Sequence, residues 1–278
     1  MDDHFRIIDH PVSLRYPSAT VAQAFRHILC GFSTPDNTHT LSPFDIQERQ
    51  SHFRVTQNNI LVGTYQNLPT LVTSLEFLLH QQALAHMSEL GIHAGAVAKD
   101  NRVLMLPGHS GAGKTTLVLG LLLLGWSLFT DEMALIHTQT PNIRPFPRVL
   151  CIKHESLKLF RPLDHHNLLE HPESVLRLND IDCISPIHFP IHPPTGFGPA
   201  SWIIFSGYQA GTKPRLKEMA KAQALTRLLQ HISNKGQLTQ SGLRTLGNLI
   251  ENTRCFELQA GPLRQTLDLI VEQWEALR

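Results

Sequence analysis

The sequence predicts an α/β protein in which a small N-terminal α/β module precedes a larger α/β core. Its 278 residues are enough for about two domains. Apolar residues make up 42% of the chain and charged residues 17%, so the chain can bury a core and wholesale disorder is not expected. Near the middle, a strand, a glycine-rich loop, an apolar helix and a second strand follow one another, an order typical of α/β proteins. We therefore expect one domain over residues 1–90 and another over 91–278.

The N-terminal module is expected to contain two pairs of strands and two helices. Apolar runs bounded by turn residues predict strands over 4–8, 12–16, 53–56 and 60–65. Apolar residues at helical spacing predict a first helix that begins after Ser18 or Thr20 and runs to about Leu29. Residues 33–43 are rich in Ser, Thr, Pro, Asp and Asn, which indicates a loop. The same helical spacing predicts a second, longer helix over 70–90, ended by Gly91.

The second domain is expected to begin with two short apolar strands over 94–98 and 102–106. An apolar helix over 114–124 follows the glycine-rich loop, and Gly125 is in place to end it. Two further strands are predicted over 126–130 and 133–137. Residues 138–199 hold ten of the 18 prolines, which predicts an irregular, surface or lid-like segment. Beyond it we expect a strand over 201–205, a helix over 220–232, a helix around 243–250, a strand over 254–258 and a last helix over 263–277.

The glycine-rich loop carries the clearest chemical signal in the chain. Residues 108–115 match G-x-x-x-x-G-K-[ST] at each specified position, between a strand and a helix as this motif requires. Glycines let the backbone N–H groups turn towards phosphates, and the start of the helix adds its positive dipole end. Lys114 would contact the β/γ-phosphates and Thr115 would offer its hydroxyl to Mg²⁺. The predicted nucleotide-binding residues are Gly108, His109, Ser110, Gly111, Ala112, Gly113, Lys114, Thr115 and Thr116.

An acidic pair, Asp131 and Glu132, follows the predicted strand at 126–130. In a parallel sheet that strand end lies near the phosphate loop, where a carboxylate can hold a metal ion or accept a proton from an attacking hydroxyl. The alternative is a solvated acidic turn. Three cations follow in the proline-rich segment, Arg144, Arg148 and Lys153. One of them could contact a transferring phosphate or the acceptor, or all three could be solvated charges.

Composition excludes several classes of protein. With 24 Lys and Arg against 23 Asp and Glu, the net charge of +1 gives no field for holding nucleic acid. The polar first ten residues lack the features of a signal peptide, and the longest apolar run, 117–126, is too short for a membrane span. Four scattered cysteines indicate free thiols, and the 17 histidines include no complete zinc ligand set. We expect a cytoplasmic protein.

Several segments together resemble the HPr kinase/phosphorylase relatives, and more narrowly the bacterial branch called HPr kinase-related kinase A. They are the phosphate loop, residues 92–97 (Ile-His-Ala-Gly-Ala-Val), residues 126–132 (Trp-Ser-Leu-Phe-Thr-Asp-Glu), and the later segments 202–205, 208–211 and 214–216. The resemblance implies a P-loop kinase core related to phosphoenolpyruvate carboxykinase, with a mixed sheet. It also implies ATP and Mg²⁺ as ligands, a protein or peptide acceptor carrying a serine, and a tendency to form homo-oligomers.

The resemblance also implies roles for individual residues. Lys114 and Thr115 would bind phosphate and metal, and His93 matches the histidine that precedes the phosphate loop. Asp131 matches the first of the paired aspartates and would accept the proton, while Glu132 stands in place of the second. The catalytic residues implied are therefore His93, Lys114, Asp131 and Glu132, and the Mg²⁺ ligands are Thr115, Asp131 and Glu132.

Two functions remain open at this point. The first is an ATP-dependent serine kinase that transfers the γ-phosphate of ATP to a seryl hydroxyl. The second is a nucleotide-binding regulatory or interaction protein without efficient phosphotransfer. The presence of both Lys114 and Asp131 favours the kinase, whereas Glu132 in place of an aspartate leaves room for the second function.

Overall fold

A computed structural model of the protein describes residues 1–32, 43–109 and 111–277. Over these residues the chain forms a mixed α/β fold with three β-sheets. The predicted loop over 33–43 lies, apart from its last residue, outside the described residues, and so does Ser110 of the glycine-rich loop.

The N-terminal part forms a five-stranded sheet and two helices. Its strands, in the order β1-β2-β3-β4-β5, are Asp2–Ile7, His10–Arg15, Phe44–Arg49, His52–Gln57 and Ile60–Tyr65. Neighbouring strands are antiparallel except β2 and β3, which are parallel. The helices α1 (Ala19–Ile28) and α2 (Leu68–Ala85) bury their apolar residues in the same hydrophobic cluster as the sheet. The sequence does not predict β3, because four of its six residues are charged or polar and only Phe44 and Ile46 are buried.

Helix α2 ends at Ala85, so the prediction that it extends to residue 90 is wrong. The apolar pattern does continue to Leu90, but Leu90 and Gly91 begin the next strand, where they pair with Ile136 and Leu135. Gly91 is therefore a strand residue and does not end a helix. Pairing with a distant strand outweighs the local helical pattern, which sequence spacing alone does not reveal.

The rest of the chain contains eleven strands and four helices among its described residues. The strands are β6 (Leu90–Lys99), β7 (Arg102–Pro107), β8 (Ser127–Thr130), β9 (Met133–Ile136), β10 (Asn142–Arg144), β11 (Leu150–Lys153), β12 (Val175–Leu178), β13 (Ile181–Ile184), β14 (Gly198–Tyr208), β15 (Arg215–Glu218) and β16 (Arg254–Ala260). The helices are α3 (Lys114–Leu123), α4 (Lys221–Leu229), α5 (Gln240–Asn252) and α6 (Leu263–Ala276). Short 3-10 helices cover His154–Leu159, Leu168–Glu170, Pro186–His188 and Lys235–Gln237.

The largest sheet has eight strands and mixed direction. Its order is β10-β9-β6-β7-β14-β16-β15, and β8 also pairs with β6. Strands β7, β14 and β16 are parallel to one another, and the other pairings are antiparallel. The parallel strands are the central ones, and β7 leads directly into the glycine-rich loop and α3.

Strands β8 and β9 lie one after the other along the same strand, β6. Strand β9 pairs with the N-terminal part of β6, where Met133 is opposite His93. Strand β8 pairs with the C-terminal part of β6, where Thr130 is opposite Ala96. The two residues between them, Asp131 and Glu132, interrupt what would otherwise be one continuous strand. This interruption places the acidic pair beside the sheet and next to α3.

Helices cover both faces of the large sheet, because its central strands alternate their buried residues between two hydrophobic clusters. Leu104 and Leu106 of β7 pack with α3 and α6, whereas Val103 and Met105 of the same strand pack with α4 and α5. Such alternation is expected of strands buried on both sides. Helix α3 is therefore fixed by apolar contacts along its length, and its first turn is held at the edge of the glycine-rich loop.

The proline-rich segment is more ordered and more buried than the sequence predicts. Strands β11, β13 and β12 form a small antiparallel sheet within it, although each has only four residues. Phe146, Phe160 and Ile184 of this segment are almost fully buried. The prediction of an irregular surface segment is therefore wrong for the three strands and the buried residues. The sequence does not reveal these strands, because strands of four residues are too short to show a periodic pattern.

The N-terminal sheet and the later chain share one hydrophobic cluster. Leu135, Phe146 and Val149 pack into the same cluster as the N-terminal strands and helices. The predicted division at residue 90 falls at the first residue of β6 and stays a prediction. Within the described parts of the chain, no helix is both long and apolar enough to cross a membrane.

Candidate functional site

The glycine-rich loop connects the end of β7 to the start of α3. Gly111 and Gly113 have φ angles of +83° and +84°, in the left-handed region that favours glycine. Gly113 immediately precedes Lys114, the first residue of α3. The loop therefore presents the free N–H groups of a helix start at its open side, an arrangement suited to binding an anion.

The Lys114 side chain folds back over this loop. Its ammonium donates a hydrogen bond to the backbone carbonyl of His109, with Nζ and O 2.9 Å apart. The side chain is buried, and burial lowers the pKa of Lys114, an effect that the nearby charges of Asp131 and Glu132 partly oppose. The lysine charge is thus held inside the curve of the loop.

Thr115 and Asp131 are in direct contact, sixteen residues apart in sequence. The Thr115 hydroxyl donates a hydrogen bond to Asp131, with Oγ1 and Oδ2 2.7 Å apart. The other carboxylate oxygen, Oδ1, is buried and has no hydrogen-bond partner among the described residues. Burial raises the pKa of Asp131 to about 7, although the hydrogen bond from Thr115 acts in the opposite direction. A carboxylate in this state can accept a proton near neutral pH.

Glu132 lies in more open surroundings, between the His93 ring and the Arg148 guanidinium. Its carboxylate is 3.6 Å from His93 Nε2 on one side and 3.6 Å from Arg148 Nη1 on the other. Half of the Glu132 side chain is exposed, so these pairs are weak. Burial, and then the charge of Lys114, lower the pKa of His93.

Arg148 is held in place from the N-terminal part of the chain. Its Nη2 is 2.7 Å from Oε1 of Glu76, and its Nε donates to the same oxygen at 2.9 Å. Glu76 lies on α2 and is buried. Of the three cations considered from the sequence, Arg148 is the one that reaches the acidic pair, because Arg144 pairs with Asp9 and Glu89 instead.

These groups surround one cleft of about 390 Å³. Its lining consists of His93, Gly111, Gly113, Lys114, Thr115, Thr116, Asp131, Glu132, Arg148, Val149 and Cys151. The structure thus brings together all four predicted catalytic residues. Of the other predicted loop residues, Gly108 and His109 are in the loop but outside this lining, and Ala112 faces a second hollow.

The second hollow, of about 570 Å³, adjoins the glycine-rich loop and is largely apolar. Its walls come from the loop, from the start of α3 and from the segment that leads into α6; they include Ala112, Leu117, Leu159, Tyr208, Pro262 and Leu263. Gly111, Gly113 and Thr116 line both spaces. Sequence reasoning missed this hollow, because its walls come from segments far apart in the chain.

A cluster of three histidines lies behind the loop. The ring centroids of His109 and His231 are 4.6 Å apart, and the His93 backbone N–H donates to the His231 carbonyl at 2.7 Å. Burial and the neighbouring histidines and Lys114 lower the pKa of His231 to about 4. Burial thus disfavours the cationic forms of His93 and His231. Over residues 1–32, 43–109 and 111–277, no group of three or more His, Cys, Asp or Glu side chains could hold a metal ion on its own.

Comparison with known proteins gives no further information on the function of this site. No protein-family model matches the chain, and no curated protein matches it. The functional argument therefore depends on the geometry of the cleft.

Proposed function

We propose that this protein is an ATP-dependent kinase with a P-loop core of the HPr kinase-related type, which transfers the γ-phosphate of ATP to a seryl hydroxyl of a protein or peptide. One observation carries the proposal: Thr115 of the phosphate loop is hydrogen-bonded at 2.7 Å to Asp131, a buried carboxylate with a pKa near 7, in the cleft that Lys114 lines. A phosphate-binding loop alone indicates nucleotide binding. A proton acceptor beside the loop indicates transfer of a phosphoryl group to a hydroxyl, because the hydroxyl must lose its proton.

The phosphates of the nucleotide would lie over the loop and the start of α3. The backbone N–H groups there, together with the helix dipole, stabilise negative charge. On binding, Lys114 would exchange its contact with the His109 carbonyl for phosphate oxygens. Arg148, which also lines the cleft, would stabilise charge on the transferring group.

The second hollow suits the nucleoside part of ATP. It shares Gly111, Gly113 and Thr116 with the phosphate cleft, so one molecule can extend from one space into the other. Its apolar walls suit a flat base, since ligand pockets combine apolar surface with a few polar groups.

The oxygen atoms around Thr115 fit a magnesium ion. Magnesium is usually bound by one or two carboxylates together with substrate phosphates and water, so a complete protein cage is not required. The buried Oδ1 atom of Asp131, which has no hydrogen-bond partner in the described parts of the chain, is a ligand of this kind. Thr115, Asp131 and Glu132 would hold the ion. When bound, Mg²⁺ would neutralise part of the phosphate charge.

In the proposed reaction, the seryl oxygen of the acceptor attacks the γ-phosphorus of ATP as the bond from that phosphorus to the β–γ bridging oxygen breaks. The products are a phosphoserine and ADP. Asp131, whose carboxylate is hydrogen-bonded to Thr115 beside the loop, accepts the hydroxyl proton. Lys114 and Arg148 stabilise the charge on the phosphates throughout.

The test is incubation of the full chain with γ-labelled ATP, Mg²⁺ and the proteins and peptides of its own cell. We expect label on serine of one or a few acceptors, and loss of at least about 100-fold in labelling for Asp131→Asn, the size typical of removing a general base. Asp131→Asn should retain nucleotide binding, whereas Lys114→Met should weaken it. Lys99→Met is the matched control, since Lys99 lies on β6 and pairs only loosely with Glu275, at 3.9 Å.

The outcomes separate the two candidate functions. Bound ATP with no labelled acceptor would contradict the kinase and favour a nucleotide-binding regulatory protein. Full labelling by Asp131→Asn would contradict the role of Asp131 as proton acceptor.

A further inference from the structure

Two cysteines face each other across strands β11 and β13 in the wall of the phosphate cleft. Cys151 is paired directly with Cys183 in the antiparallel register, and their sulfur atoms are 3.7 Å apart. Directly opposite residues in antiparallel strands have Cα atoms about 4.5–5.5 Å apart. That spacing falls within the range of about 4.4–6.8 Å found in disulfides. A bond between these two sulfurs therefore requires side-chain rotation and only a small change in the backbone.

The two thiols differ in a way that suits stepwise oxidation. Cys151 is exposed and lines the cleft, whereas Cys183 is buried directly behind it. The hydrogen bond from the Cys183 thiol, and then the charge of Arg148, lower the pKa of Cys151. The same contact and burial raise the pKa of Cys183. Cys151 is thus the more reactive thiol and Cys183 is placed to react next.

We propose that Cys151 and Cys183 are a redox modification site, at which a peroxide converts the two thiols into a disulfide in the wall of the cleft. The Cys151 thiolate attacks one peroxide oxygen, the O–O bond breaks, and Cys151 becomes a sulfenic acid while hydroxide leaves. The Cys183 sulfur then attacks the Cys151 sulfur, the S–O bond breaks, and the oxygen leaves as water with the thiol proton. In total, two thiols and one hydrogen peroxide give one disulfide and two waters.

The other two cysteines provide internal controls. Cys30 lies 3.1 Å from the Ser185 hydroxyl, and Cys255 is buried beside Thr253. Neither is paired across a strand with another cysteine in the described residues. Selective oxidation is therefore expected at one pair among four cysteines.

The experiment uses the full, reduced chain without nucleotide, so its outcome does not depend on the proposed kinase activity. The protein is treated with hydrogen peroxide, denatured, alkylated at its remaining thiols, and digested without reduction for mass spectrometry. We expect free thiols to fall from four to two, with one linked peptide that contains Cys151 and Cys183 and that dithiothreitol separates. Circular dichroism of each reduced variant confirms that it folds.

Variants test the order of the steps. In Cys183→Ser, Cys151 should accumulate as a sulfenic acid that dimedone traps, with no linked peptide. In Cys255→Ser, the linked peptide should form as in the parent chain. The proposal is overturned if Cys151 and Cys183 stay reduced while the other thiols oxidise, or if Cys151 is recovered bonded to Cys30.

Discussion

Asp131 occupies a position where its negative charge costs the folded protein stability. It is 9% exposed, with a single hydrogen bond from Thr115 and no ion pair at hydrogen-bond distance among the described residues. A buried charge without a close partner is unfavourable, so the group holds its proton to a higher pH instead. An isolated carboxylate of this kind is better explained by a ligand or a reaction than by folding.

The cost of this charge can be measured through its pH dependence. The folded pKa of about 7 lies above the ordinary value of 3.8, so between these pH values only the unfolded chain releases the proton and stability falls as pH rises. Asp131→Asn removes this loss. We expect it to raise the free energy of unfolding by roughly 2–4 kcal/mol at pH 8 and by little at pH 4, measured by urea denaturation.

Asp182 is the matched control for this measurement. Its side chain is also fully buried, but it is 2.7 Å from His154 Nδ1 and 2.9 Å from Arg177 Nε. Because its charge is paired, Asp182→Asn should lower stability at pH 8. If Asp131→Asn and Asp182→Asn changed the free energy of unfolding by the same amount at pH 8, the explanation given for Asp131 would be contradicted.

At the scale of elements, α2 and the cleft are joined by the pair of Glu76 and Arg148. Glu76→Gln keeps the shape of the side chain but removes the charge that orients Arg148. We expect stability to fall by about 1–3 kcal/mol, because a buried charged hydrogen bond is replaced by a neutral one. If the proposed kinase reaction is correct, phosphoryl transfer should fall with it, chiefly in kcat, because the proposal has Arg148 stabilise the transferring group.

The control for this prediction is Glu89→Gln. Glu89 also pairs with an arginine, Arg144, at 3.0 Å, but Arg144 does not line the cleft. The free energy of unfolding should decrease in both variants. The kcat, assayed below the unfolding temperature of each variant, should decrease only in Glu76→Gln. A normal kcat in Glu76→Gln would show that Arg148 needs no support from α2.

The first turn of α3 depends on the left-handed backbone of Gly113. Among the described residues, a Cβ at Gly113 would meet no atom within 4 Å, so the cost of Gly113→Ala is in the backbone alone. We expect a loss of about 1–2 kcal/mol and weaker nucleotide binding, measured by thermal unfolding and calorimetry. Gly247→Ala, in the middle of α5 and equally free of contacts, should stabilise the protein by about 0.5–1 kcal/mol. Equal effects at both glycines would contradict the prediction.

The elements that sequence predicts well are those whose signal is local. The phosphate loop, α3 and the acidic pair lie within 25 consecutive residues, 108–132, where turn chemistry and helix start are set by neighbours. Arg148 could be named only as one of three alternatives, because Glu76, which selects it, is 72 residues away. Strands β11, β12 and β13 have four residues each and pair with one another within the segment that proline content predicts to be irregular.

For the whole molecule, the shared hydrophobic cluster predicts that the N-terminal sheet and the later chain unfold together. Leu14 of β2 is fully buried in this cluster, and the three tryptophans, at 126, 202 and 274, all lie in the later chain. Leu14→Ala should lower stability by about 2–5 kcal/mol. Urea denaturation followed by tryptophan fluorescence should therefore shift to lower urea, although no tryptophan is near the substitution in sequence.

Leu61→Ala provides the comparison, because Leu61 belongs to the same N-terminal sheet but is 52% exposed. Its fluorescence transition should remain where it is in the parent chain. If Leu14→Ala also left the tryptophan transition unchanged, the N-terminal part would be an independent folding unit, and the division at residue 90 would be a true domain boundary.

The interruption between β8 and β9 has a consequence for how this chain can change in evolution. Substitutions along 127–136 alter one side chain at a time, but losing or gaining one residue between Thr130 and Met133 would force one strand to slip along β6. A slip of one residue exchanges the two faces of a strand, which would expose buried residues and bury the others. Insertions and deletions should therefore be excluded from this stretch, even where its individual amino acids vary freely.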